Sequence, residues 1–349
     1  MFHWKQVCLD GLAYVLPEHI VSSKQIESQL ALIYDRFALH EGRLELMTGI
    51  RERRFWNESA LPSDASTRAG RQALAAAAVR PDEIECLIHT SVSRDFLEPA
   101  TAAVVHDNLK LSPRAILYDI SNACLGFLNG MINLANMIEL GQVKRGLIVA
   151  GESSRNLVTT TIKQLLSSTH LTRQEFKAAF ASLTIGSGAA AMVMAHESVA
   201  QTDRRLLGGV AAAATEWNHL CRGSADTGFD ADATMSMQTH AESLLDSGCK
   251  LATATWRSFC DTLKWTNESV ARFYGHQVGQ AHWDRLVEVL GLDPRKSLTT
   301  YETLGNVGSV SLPLTMAMAL ERDPPPPRSD IAMLGIGSGL VSVMLGVTW

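Results

Sequence analysis

No two of the six cysteines (Cys8, Cys86, Cys124, Cys221, Cys249, Cys260) are spaced C-x-x-C. That absence argues against a zinc ribbon and against a disulfide framework. It suits a reduced, cytoplasmic setting in which most of the thiols are small buried hydrophobes. No block of Lys or Arg stands out and the formal net charge is -5, so nothing in the charge points to nucleic acid. No apolar run is long enough to span a bilayer; Ala73 to Val79 is short and follows charged residues. The first ten residues lack a basic stretch leading into an apolar one, so they do not read as a signal peptide. What is present is a globular composition, 46% hydrophobic and 19% charged over 349 residues. That length exceeds what one hydrophobic core usually serves, so two core-bearing halves are expected.

Strand-like and helix-like segments alternate. Glu85 to Thr90, Ala115 to Ile120 and Arg145 to Ala150 read as buried strands. Between them, Pro99 to Leu109 and Leu125 to Leu140 read as helices, the second ended by Gly141. The order recurs later. Ala271 to Gly275, Ser297 to Tyr301 and Ile331 to Gly335 are strand-like, with helices expected at Ala281 to Leu290 and Val307 to Leu320. This is the pattern of an α/β protein with parallel strands, duplicated into halves of about 1–200 and 201–349. A helical insertion at about 153–185 interrupts the first half, its second helix capped by Thr172 with Glu175 three residues on. Ser224 to Thr239 reads as a polar surface loop, and Pro324 to Pro327 as a stiff connector.

Four short motifs carry chemistry. In Asp119 to Phe127 a strand delivers Cys124 to the first turn of a helix, where N–H groups and the helix dipole favour a thiolate. Ala123 and Gly126 are small enough to admit a substrate carbonyl. The alternative is a packed core cysteine. Gly275-His276-Gln277 ends a strand in a histidine that is either a base or a structural residue. Gly305-Asn306-Val307-Gly308 sets an asparagine at a helix start, where it could also serve as an N-cap. Gly335 to Leu340 is a Gly-rich loop after the last strand; it can aim N–H groups at an oxyanion, and with no helix after it the loop does not read as a dinucleotide site.

In this order the motifs resemble the thiolase superfamily, in particular its ketoacyl-synthase III-like branch, and the resemblance spans essentially the whole chain. It implies a five-layer α/β/α/β/α fold with two mixed sheets, a homodimer, and Cys124, His276 and Asn306 as catalytic residues. A finer likeness lies in Thr90 to Thr101, where Glu98 precedes Pro99, and in the stretches 214–223 and 335–340. These resemble OleA-type enzymes, which condense two long-chain acyl-CoA molecules head to head.

The resemblance implies a mechanism. Cys124 would take an acyl group from a first acyl-CoA. Glu98 from the partner subunit would remove an α-proton from a second, strengthened as a base by a dry interface. His276 and Asn306 would hold the enolate. The N–H of Cys124 and one from the Gly337, Ser338, Gly339 loop would hold the tetrahedral oxyanion. No metal or redox cofactor is expected. The rivals are a decarboxylative synthase using malonyl-thioester, an acyl transfer or thioester hydrolysis from the same cysteine, and a non-catalytic binding paralogue.

Overall fold

The structure, a computed structural model, describes residues 1–223 and 237–349. Nine strands form its frame: β1 (Val7–Val15), β2 (Cys86–His89), β3 (Ile116–Asp119), β4 (Arg145–Glu152), β5 (Gly188–His196), β6 (Arg205–Ala213), β7 (Arg272–Gly275), β8 (Asp330–Gly337) and β9 (Val341–Thr348). The main helices are α1 (Pro62–Ala76), α2 (Thr101–Leu109), α3 (Gly126–Glu139), α4 (Arg155–Ser167), α5 (Arg173–Leu183), α6 (Ala241–Leu263), α7 (Gln280–Leu290) and α8 (Ser311–Arg322).

The strands lie in the order β7-β8-β9-β6-β1-β5-β4-β2-β3, with Phe2–His3 added on β6. In the first half β2 runs parallel to β3 and β4, and β5 and β1 are antiparallel. In the second, β7 runs parallel to β8, and β9 and β6 are antiparallel. The two expected sheets are not fully separate. Cys8 of β1 pairs with Arg205 of β6, and the Leu9 N–H bonds the Arg204 carbonyl at 3.0 Å, which joins them.

Helices α1 and α2 share one core with the outer face of the first sheet. Helices α6 and α7 do the same for the second. Between the sheets, α3 and α8 share the largest core. These are the five expected layers. Their arrangement explains the sequence pattern: β4 is buried at all eight positions because helices cover both its faces. Helix α3 buries Phe127, Leu128, Met131, Leu134, Ala135 and Ile138, a stripe wide enough to meet both sheets.

Three further expectations need correction. Ser297 to Tyr301 is not a strand; Tyr301–Leu304 is a helical turn. The Gln277 side chain takes the place of a strand neighbour, donating to the Leu298 carbonyl and accepting from the N–H groups of Thr300 and Tyr301. Secondly, Gly335 and Gly337 lie within β8, and β8 is not the last strand: Ser338 to Leu340 form the turn into β9. Thirdly, of the loop expected at 224–239, residues up to 236 lie outside the described ones, and Met237–Thr239 is a strand paired with Cys221–Gly223. Helices α4 and α5 pack with Ser23–Gln29, Ala31–Arg36 and Arg43–Thr48 in a separate apolar cluster. The cap on α5 is as expected: Thr172 Oγ1 accepts from the Glu175 N–H at 3.2 Å, and Glu175 accepts from the Thr172 N–H at 2.8 Å. Among the described residues no helix is long and apolar enough to cross a membrane.

Candidate active site

Cys124 sits in the tight turn between β3 and α3. Ala123 takes a φ of 47°, a left-handed conformation that turns the chain out of the strand. The Leu125 N–H then bonds the Asn122 carbonyl at 2.9 Å, and the helix begins. Asp119, at the end of β3, accepts the N–H groups of Thr101 and Ala102 at 2.8 Å each and so fixes the start of α2 beside this turn. Gly126 has a different role from the one its size suggested. A Cβ there would lie 2.2 Å from the Thr90 carbonyl oxygen, so the glycine lets α3 start close against the end of β2.

The thiol does not behave as its helix-start position alone implies. Burial pushes the Cys124 thiol up to about 12, and Cys221 and Glu152 add to that; its own backbone N–H opposes them. Desolvation outweighs the dipole here. The cysteine is therefore a protonated thiol at neutral pH, and it needs an acceptor for its proton when it reacts.

His276 follows β7, and its backbone N–H bonds the Leu334 carbonyl of β8 at 3.0 Å. Its ring is partly accessible, but both ring nitrogens are shielded and have no hydrogen-bond partner among the described residues. Burial, helped by His282, lowers its pKa to about 4, so the imidazole is neutral and available. The same strand β8 runs on past Cys124. A Cβ on Gly337 would lie 3.6 Å from the Cys124 backbone nitrogen and 3.0 Å from Leu125 Cγ. Gly337 is thus beside Cys124, whereas Ser338 and Gly339 belong to the following turn, with Gly339 at a φ of 120°.

Asn306 is bridged to the segment after α5: its N–H bonds the Thr184 carbonyl at 3.0 Å and its carbonyl accepts the Gly186 N–H at 2.8 Å. Its side-chain Oδ1 accepts the Gly308 N–H at 2.9 Å. That fixes the carboxamide and leaves the Nδ2 hydrogens as its donors. Asn306 does not cap α8, which begins at Ser311.

Glu98 is placed differently. It lies exposed on the segment between β2 and α2, and among the described residues no donor is bonded to its carboxylate. Val92, Phe96 and Leu97 on the same segment are exposed as well, at 51%, 50% and 43%.

Two buried groups escaped the sequence reading. Glu152 ends β4 at 5% exposure and lies near enough to Cys124 for its charge to raise the thiol. His89, at the end of β2, is fully buried, and among the described residues neither ring nitrogen has a hydrogen-bond partner, its Nδ1 lying 3.7 Å from Asp119 Oδ1. The signal for Glu152 was an acid directly following an apolar strand and a glycine, where a loop residue would be expected to be solvated.

Comparison with known proteins places the chain among its relatives. The family model for the 3-oxoacyl-[acyl-carrier-protein] synthase III C terminal matches residues 260–349, and that for 3-oxoacyl-[acyl-carrier-protein] synthase III matches 118–213. An acyl-CoA:acyl-CoA alkyltransferase of Shewanella oneidensis is 39% identical over 350 residues, 99% of both chains. Its namesake in Xanthomonas campestris is 39% identical over 346 residues, again 99% of both. The crystal structure of cerulenin-bound Xanthomonas campestris OleA, 39% identical, superposes with a TM-score of 0.93 over 100% of this chain and 98% of that one. The fold and these likenesses define a thiolase-fold enzyme of the acyl-transferring, condensing class. Within that class, the chain belongs to the OleA-type family of acyl-CoA:acyl-CoA alkyltransferases.

Proposed function

We propose that this enzyme joins two fatty acyl-CoA thioesters by a non-decarboxylative Claisen condensation, giving a 2-alkyl-3-oxoacyl product through an acyl group held on Cys124. The observation that carries the reading is the full-length likeness to relatives named for acyl-CoA:acyl-CoA alkyl transfer. A further point supports it. Solved OleA structures include variants at one glutamate and at one cysteine, and those two residues are separated by as many positions as Glu98 and Cys124. One of those structures holds lauric acid and lauroyl-CoA.

The first step is acyl transfer. The Cys124 sulfur attacks the acyl-CoA carbonyl carbon while its proton passes to the neutral ring of His276. The carbon–sulfur bond to CoA breaks, and the departing CoA sulfur collects that proton. A thiol held near 12 cannot ionise beforehand, so proton transfer and attack are coupled. The Cys124 N–H and an N–H of the 337–339 turn face the developing oxyanion.

The second step makes the carbon–carbon bond. A plain acyl-CoA has no carboxyl group to lose, so an α-proton must be removed. Glu98 of the partner subunit takes it. The enolate oxygen is held by a ring N–H of His276 and by Asn306 Nδ2. The enolate carbon attacks the Cys124 thioester carbonyl, the carbon–sulfur bond breaks, and the thiolate regains a proton from the Glu98 carboxylic acid. The product leaves as its CoA thioester or, after hydrolysis, as the β-keto acid. These steps balance without a metal or redox cofactor. The exposed Val92, Phe96 and Leu97 around Glu98 suit burial against a second copy of the chain. Such a homodimer, working in the cytoplasm, would bring each Glu98 to its neighbour's cysteine.

The test is incubation with one long-chain acyl-CoA and no malonyl-thioester, followed by mass spectrometry. A 2-alkyl-3-oxo product supports the reading. Product only when malonyl-thioester is added would make the enzyme a decarboxylative synthase, and fatty acid alone would make it a thioesterase.

A further inference from the structure

A buried carboxylate needs donors for its lone pairs. Glu152 draws its donors from two segments far apart in sequence. From one side the Val92 N–H reaches Oε1 at 2.9 Å, and the N–H and hydroxyl of Ser93 reach Oε2 at 3.0 and 2.8 Å. From the other side the hydroxyl of Ser309 reaches Oε1 at 2.7 Å and its N–H at 3.3 Å. The first segment leads directly to Glu98. The second begins with Gly308, whose N–H holds Asn306 Oδ1. Gly308 is pressed on the carboxylate: a Cβ there would lie 3.1 Å from Oε1, and the residue has a φ of 56°.

We infer that Glu152 is a positioning residue that sets the Glu98 segment and the Asn306 turn in a single arrangement, acting through Ser93 and Ser309. The inference rests on the condensation proposed above, in which those two segments carry the base and an enolate donor. The lone pairs of Glu152 are filled from within the protein, which suits holding rather than contact with substrate. Its effect falls on the second step. The acylation of Cys124 uses neither Glu98 nor the Asn306 carboxamide.

The experiment measures two rates for each variant: Cys124 acylation by labelled acyl-CoA, and condensation. In Glu152→Gln, acylation should stay at or above the wild-type rate, because the lost charge is one that raises the Cys124 thiol, while condensation falls about 10- to 100-fold, the scale of loss that a misplacement of about an ångström brings. A merely structural carboxylate would lower both rates together, and that result overturns the inference. Should Glu152→Gln fold poorly, the single hydroxyl deletions Ser93→Ala and Ser309→Ala decide the matter. Joined through one carboxylate, their effects on condensation should be non-additive in the double variant. Strict additivity, or wild-type condensation in both, overturns the inference. Glu98→Gln is the control for the underlying reading. If Glu98→Gln condenses normally, the proposed reaction fails; if it is blocked while Glu152→Gln condenses at the wild-type rate, only the role of Glu152 fails.

Discussion

Glu98 and Glu152 flank the same stretch of catalytic architecture, and they could hardly be held more differently. Glu152 is buried and accepts from two hydroxyls and three backbone N–H groups. Glu98 is exposed, on a segment whose apolar residues also face outward. A carboxylate whose lone pairs are all engaged ties its segments together. One that is free in the monomer and flanked by apolar side chains can be desolvated by a partner and become a base. His276 and Asn306 repeat the division. Asn306 has its oxygen tied by Gly308, whereas both ring nitrogens of His276 are untied among the described residues. On the proposed reading, the groups that exchange protons are the untied ones.

The largest effect should come from Glu98. Glu98→Gln should cut condensation by about 10²- to 10⁴-fold, the usual worth of a general base, with Cys124 still acylated in intact-protein mass spectra. Normal condensation in that variant would erase the contrast between the two glutamates. Mixing sharpens it. Glu98→Gln and Cys124→Ser chains should each be inactive alone, yet regain condensation when co-refolded, because a mixed dimer has one site with both groups. No recovery would mean that Glu98 does not serve its neighbour. Next in size is stability. Glu152→Ala leaves buried donors without an acceptor and should cost about 3 kcal/mol in urea unfolding, whereas Glu98→Ala should stay within about 0.5 kcal/mol. Equal losses would show that exposure does not separate them.

The contrast also marks where sequence reading succeeds. Apolar periodicity located β2, β3, β4, β7 and β8, because buried strands and an amphipathic α3 leave regular traces. The Thr172–Glu175 cap was legible because capping is local. Ser297 to Tyr301 misled because its β-branched residues fit a strand, while a distant side chain, Gln277, takes its backbone hydrogen bonds. Cys124 was legible as a residue at a strand–helix turn, but its raised thiol was not, since desolvation depends on everything packed around it. Glu152 was overlooked for a related reason: its donors come from Val92, Ser93 and Ser309, which nothing in the sequence joins.

The smallest effects concern His276 and pH, and here the sign matters. Its folded pKa lies near 4, below the 6.5 of an unburied histidine. Between those values the unfolded chain binds a proton that the folded ring refuses, so this group favours unfolding as pH falls from 6.5 towards 4. Above 6.5 the effect is gone and full stability is present. Burial lowers His89 and His282 in the same direction, so the slope is shared among three rings. His276→Asn should make urea midpoints less steep across pH 6.5 to 4 without flattening them, and leave pH 7 to 8 unaltered in slope. The same ring predicts a catalytic profile. With His276 neutral down to about 4 and the Cys124 thiol protonated up to about 12, neither titrates near neutrality. Acylation of Cys124 should therefore vary by less than about twofold between pH 6 and 8. A tenfold rise across that interval would place a titrating base at the thiol, and would show that the untied imidazole gains a partner once substrate is bound.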